Sequence, residues 1–285
     1  AKSIEINSYD AGYSNILRDT QESTNREIET IQNLQSHRVD GVIVCPVGQE
    51  FGHLKKIIES NIPLVIVDRY FKELTCPAVV SGNYKGSVEA VSHFIDNGHT
   101  IIGCIQGKLN TSVNEERVRG YREAHKSHGL TIDEYLIVGD DFGERNGYTS
   151  AKMLLNREIR PTAIFATSNL INLGSLRAIH EEGLKIPDDI SLISFDDQPY
   201  FDFLSTPITT IKQQSTEIGE IAFKLLIDQI EFKTNIYTKK VVIPTKLVIR
   251  KSVKRINISL HEERRKEINV ANAENLNETK NEKNR

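Results

Sequence analysis

Two aspartates stand where a carboxylate can do recognition chemistry. Asp196 follows the apolar run Ile190–Phe195 (ISLISF), and Asp68 follows Pro63–Val67 (PLVIV). Unbroken runs of this kind read as strands covered on both faces. Ligands of open parallel sheets lie beyond the carboxyl ends of such strands. A carboxylate there faces the ligand space and can accept two hydroxyl hydrogen bonds. The plainer alternatives are a turn or cap for Asp196, with Asp197 equally eligible, and a pair with Arg69 or a cap for Asp68. Arg117 lies at the start of a predicted helix, three residues before Gly120. Its rigid fork of donors suits sugar hydroxyls or a carboxylate. Its alternative is a surface arginine in a charged cluster with Glu115, Glu116 and Arg119. Catalytic and metal patterns are missing. There is no nucleophile elbow, Walker loop or GxGxxG string. The eight histidines form no HxxxH or HxH set, and Cys45, Cys76 and Cys104 form no CxxC pair,. No cofactor, metal or enzymatic activity is expected.

The elements that must position these residues follow from the pattern. Short apolar runs alternate with amphipathic stretches. Strands are expected at Gly41–Cys45, Pro63–Val67, Ala78–Val80, Ile101–Ile105, Tyr135–Val138, Ala163–Ala166 and Ile190–Phe195. Helices are expected at Arg26–Leu34, around Leu54–Ile58, around Val88–Ile95 (ended by Gly98), and at Glu115–His125, Gly147–Leu155, Leu170–His180 and Glu217–Ile230,. This alternation implies βα units and parallel sheets. Roughly four units precede residue 100 and four follow, which favours two doubly wound lobes over one barrel. Lys2–Tyr9 reads as the end of a helix stopped by Gly12, with a strand near Tyr13–Leu17. The chain starts at Ala1 and its one methionine is Met153. The expectation is an N-terminally truncated chain whose first strand is absent. Val241–Ile249 reads as a strand broken by Pro244. Arg255–Arg285, charged and asparagine-rich, reads as a tail with a possible helical turn near Glu262–Ile268. The net charge of −3 gives no general pull toward nucleic acid or anionic membrane, and no run is long enough to span a bilayer,.

Strings along residues 1–254 resemble the effector-binding region of the LacI/GalR family of bacterial transcription regulators. They are RVDGVIVCP (38–46), IPLVIVDR (62–69), NYKGSVEAVSHFIDNGHTIIGCIQG (83–107), ERVRGYREA (116–124), PTAIFATSNLINLGSLRAIHEEGLKIPDDISLISFDD (161–197), TPITTIKQQSTEIGEIAFKLL (206–226) and LVIRKS (247–252). The resemblance implies two Rossmann-like lobes joined by three crossings, as in periplasmic sugar-binding proteins of type I. The lobes would be 1–81 plus 212–238 and 82–211 plus 239–254. The crossings would fall near Val80–Gly82, Ile211–Gln214 and Tyr237–Lys240.

It also implies a cleft site. Arg117 would hold the effector, Asp196 would face it, and Asp68 would do so from the other lobe. Ser168 and Asn169 would line the wall, where N-capping is the competing role. Asn169 stands where the family often has aspartate. Phe142 would stack on the effector, although the register leaves Asp141 an equal claim to point inward. Gln213 would line the cleft from a crossing or serve only as hinge. Gly82 replaces a frequent aspartate. The implied function is an effector-sensing module of a cytoplasmic, homodimeric regulator. It would bind a sugar or sugar-like metabolite and control operator DNA through an N-terminal helix-turn-helix absent from this chain. The alternative is a sugar-binding protein of a transporter or chemoreceptor.

Overall fold

The computed structural model describes residues 1–232 and 240–256. The apolar runs form two sheets. In the first, β1 (Val42–Val44), β2 (Leu64–Val67), β3 (Ala78–Ser81) and β9 (Lys240–Ile243) lie side by side in that order, all parallel. In the second the order is β10 (Lys246–Val248), β8 (Thr209–Lys212), β7 (Ser191–Phe195), β6 (Ala163–Ala166), β4 (Ile102–Ile105) and β5 (Ile137–Val138). Only the β10–β8 pair is antiparallel among the described strands.

Continuous apolar runs are needed because helices cover both faces. In β2, Leu64 and Ile66 pack with Leu54 and Ile57 of α3 (Gly52–Glu59) and Ile31 of α2 (Thr24–Ser36). Val65 between them packs with Ala222 and Leu226 of α8 (Ser215–Phe232). The second sheet repeats this. Ile164 and Leu192 meet α6 (Glu144–Leu155) and α7 (Asn169–Glu181). Phe165 and Ile193 meet α4 (Asn83–Asp96) and α5 (Ser112–Ser127). Each such side chain contributes about 1.5–3 kcal/mol by leaving water.

Three sequence expectations change. Residues 13–17 form no strand. A ladder needs a neighbour, and a cavity of about 320 Å³ separates this stretch from the free edge of β1, with Ile16, Leu17, Val42 and Ile230 in its walls. Tyr135 and Leu136 belong to a 3-10 turn, Glu134–Leu136, whose start is capped by Asp133; only Ile137–Val138 pair as a strand. The third crossing is displaced. Residues 237–239 lie outside the described residues, and β9 belongs to the first sheet rather than to the second lobe. The chain passes between sheets at Pro244–Thr245, where proline cannot continue a ladder,. The proposed tail and its turn lie, from residue 257, outside the described residues. The expected helix of Lys2–Tyr9 is present as α1 (Lys2–Asp10).

Gly120 shows why Arg117 has a glycine three residues on. A Cβ there would sit 2.5 Å from the Tyr84 carbonyl oxygen and 2.6 Å from Ser87 Cβ, so α4 and α5 touch backbone to backbone. Gly120→Ala should therefore destabilise by about 1–3 kcal/mol despite alanine's better helix propensity. Gly52→Ala, with nothing within 4 Å of its added carbon, should cost nothing. Urea denaturation of the two variants checks this.

Candidate functional site

The carboxyl ends of β2 and β7 face each other across the space between the sheets. Both strands end in an aspartate with left-handed backbone, Asp68 at φ +66° and Asp196 at φ +72°. Aspartate tolerates this conformation better than most residues, still at a cost of order 1 kcal/mol. Local bonds hold it. Asp68 N donates to Val79 O at 3.0 Å and Asp196 N to Ile211 O at 2.9 Å. Asp197 is tied down beside Asp196, accepting from Thr210 Oγ1 at 2.7 Å and pairing with Arg250 at 2.9 Å.

Arg117 lies between the two aspartates. It is the sixth residue of α5, not its first, and it is buried at 2% exposure. The surface-cluster alternative therefore fails, although Arg119 and Glu116 do pair at 2.8 Å on the outer face. The guanidinium lies 3.7 Å from the Phe195 ring centroid. Its Nε donates to Asn83 Oδ1 at 2.8 Å and its Nη1 to Thr167 O at 2.5 Å. Nη2 stands 4.0 Å from Asp196 Oδ1, a contact loose enough to leave the carboxylate free for other donors.

Gln213, in the second crossing, connects the halves. It donates to Asp196 Oδ1 at 2.5 Å and accepts from Ser81 Oγ at the end of β3. A crossing residue thus bonds the strand-end carboxylate of one half and the Ser81 hydroxyl of the other. Ser168 caps α7, accepting from Ile171 N at 3.2 Å and donating to Phe142 O at 3.1 Å. Asn169 N reaches Asp196 Oδ2 at 3.4 Å. Phe142 turns inward: a Cβ on Gly107 would lie 2.0 Å from its ring. Asp141 instead accepts from Gly143 N at 2.7 Å in an exposed loop.

One residue escaped the sequence reading. Arg69 makes no pair with Asp68. It is held by Glu22 at 2.9 and 3.0 Å and donates to Pro46 O at 3.2 Å. At 7% exposure its guanidinium lies 5.9 Å from the Phe142 ring centroid, across from the second sheet, and its Nε has no partner among the described residues. The signal was its place directly after a strand-end aspartate, read only as a pairing partner.

Burial sets the electrostatics. It pushes the Asp68 carboxyl above its ordinary value, with Arg117 and Arg69 opposing the shift. It lowers Arg117, against the pull of Asp196 and Asp68. A carboxyl raised on folding favours the folded state below its unfolded value, near 3.8, and this contribution is lost as pH rises through the folded value. Asp68→Asn should therefore raise the melting temperature at pH 7 and flatten its decline between pH 4 and 7, read by thermal unfolding across pH. Arg117→Ala should lower stability by about 1–3 kcal/mol, because Asn83 and Thr167 lose a buried donor. Chemical denaturation measures that loss.

The family model for the periplasmic binding protein-like domain matches residues 91–253. The HTH-type transcriptional repressor PurR of Actinobacillus pleuropneumoniae serotype 3 is 34% identical over 259 residues, covering 89% of this chain and 76% of its own. The ribose operon repressor of Haemophilus influenzae is 32% identical, covering 85% and 72%. A solved chain from Burkholderia thailandensis, assigned as a ribose operon repressor, is 31% identical with a TM-score of 0.79, covering 87% of this chain and 91% of that one. The chain belongs to the LacI family of transcriptional regulators. It is the effector-binding region of such a regulator, and these relatives support that reading over the transporter alternative. They are repressors, not enzymes.

Proposed function

We propose that the cleft binds a ribose-like pentose and that binding shifts the arrangement of the two lobes, which in turn controls operator DNA. The observation that carries this reading is the convergence of Asp68, Arg69, Arg117 and Asp196 from both sheets with the Phe142 ring. Fixed donors and acceptors beside an aromatic face suit a small polyol with an apolar ring face. The ribose operon repressors among the relatives support a pentose. In the proposal Asp196, Asp68, Arg117 and Arg69 bind hydroxyls, Asn169 and Gln213 add polar contacts, Phe142 stacks, and Ser168 acts through the cap. The lobes are those drawn from the sequence, with the third crossing moved to Pro244.

DNA contact would fall to a helix-turn-helix joined upstream; the relative PurR is an HTH-type transcriptional repressor. The working unit would be a cytoplasmic homodimer. Exposed apolar side chains, Ile6 and Tyr9 on α1 and Leu170 and Leu173 on α7, offer surface for it,. No described helix is long and apolar enough to cross a membrane.

Calorimetric titration with ribose, other sugars and nucleosides tests the site. Ribose should bind, and Asp196→Asn and Arg69→Ala should each weaken it roughly 10- to 100-fold, the worth of a hydrogen bond to a charged group. Wild-type affinity in both variants would sink the assignment. Sedimentation of the protein should show a dimer.

A further inference from the structure

A second cavity, of about 400 Å³, opens on the side of the molecule where the chain crosses between the sheets. Its walls come from both halves. Tyr70 and Lys240 belong to the first, Ser112 and Arg119 to the second, and Pro244 and Thr245 of the third crossing close one end. Tyr70 N donates to Ser112 Oγ at 3.1 Å beside it.

The first turn of α4 forms part of the wall. Its N-cap is Gly82, which offers no side-chain cap, and the turn carries no acid. The orphan N–H groups of a 14-residue helix therefore keep their partial positive charge without a side-chain acceptor,. Asn83 is 5% exposed and lines the cavity. Its Oδ1 is taken by Arg117, whereas its amide nitrogen has no partner among the described residues. The residue is thus largely buried, yet it keeps an N–H to offer an acceptor in the cavity,.

The side chains add charge and shape. Lys85, Lys240 and Arg119 face Glu89, Glu116 and Asp68 in the wall. Glu116 is taken up by Arg119 at 2.8 Å, and Asp68 is shared with Arg117 and Arg69 of the effector cleft. Two ammonium groups remain against Glu89. The Lys240 ammonium is held 3.7 Å from the Tyr70 ring centroid and Arg119 4.2 Å from that of Tyr84, so the cations sit over rings at fixed places.

We propose that this cavity is a second ligand site, taking a small phosphate monoester whose phosphate meets the α4 N-terminus, Asn83 and Lys85, and whose body lies between Tyr70 and Tyr84. Both lobes and a crossing contribute walls, so occupancy favours one arrangement of the lobes. Asp68 belongs to both sites, so the two ligands alter each other's affinity by the same factor.

Phenyl phosphate is the probe, titrated calorimetrically into the full chain. One molecule should bind, more weakly as salt rises. Lys85→Ala/Lys240→Ala should weaken it at least tenfold while leaving ribose titration without phosphate unchanged. Gly82→Asp is a second variant that places a carboxylate over the same N–H groups; its added Cβ meets nothing closer than 3.4 Å. It should also remove binding. Asp196→Asn should retain phenyl phosphate binding. No saturable heat, or binding lost in Asp196→Asn but kept in the lysine pair and in Gly82→Asp, would overturn the proposal, the latter by placing the ester in the effector cleft. Because the probe is not a sugar, failure with ribose leaves this outcome readable.

Discussion

The buried guanidinium of Arg117 is the interaction on which the cleft depends. A charge at 2% exposure survives only if its donors and its field are both answered,. The answers come from three elements. Asn83 at the head of α4 and the Thr167 carbonyl at the end of β6 accept its hydrogen bonds. The Phe195 ring at the end of β7 supports its flat face, and Asp196 stands beside it. The close approach of α4 and α5 at Gly120 keeps Arg117 in place. Moving any of these elements leaves either an unpaired charge or an unfilled acceptor.

The opposite lobe meets that charge with a device of the same kind. A strand runs apolar through the core and then ends on an aspartate in left-handed backbone. The carboxylates are aimed into the space between the sheets instead of back along the strand. The two are unequal in environment. Asp196 is bonded by Gln213 and Asn169, while burial pushes the Asp68 carboxyl above its ordinary value. Gln213 and Ser81 then connect the carboxylate cluster to two of the three crossings.

Much of this was legible in the chain. Strand and helix positions follow from runs such as ISLISF and from glycines such as Gly98, which does take positive φ. The failures share a cause: they are pairing decisions. Tyr13–Leu17 has strand-like residues but no neighbour to pair with. Val241–Ile249 reads as one broken strand, but its two halves join different sheets on either side of Pro244. Asp141 and Phe142 are equal claimants in sequence, and the packing of the ring on Gly107 and the bond from Gly143 N to Asp141 separate them. Arg69 is visible only as one alternative partner for its sequence neighbour Asp68, whereas its partner is Glu22, far away in the chain.

By itself the sequence determined the βα rhythm, the two strand-end aspartates and the family strings. These are local facts, set by side-chain periodicity and by which residues tolerate a turn. The burial of Arg117, the bridge through Gln213, the site of the third crossing and the cavity beside α4 were decided only by tertiary structure. Each depends on which two distant segments are brought within hydrogen-bonding distance, and a short-range pattern carries no information about that distance.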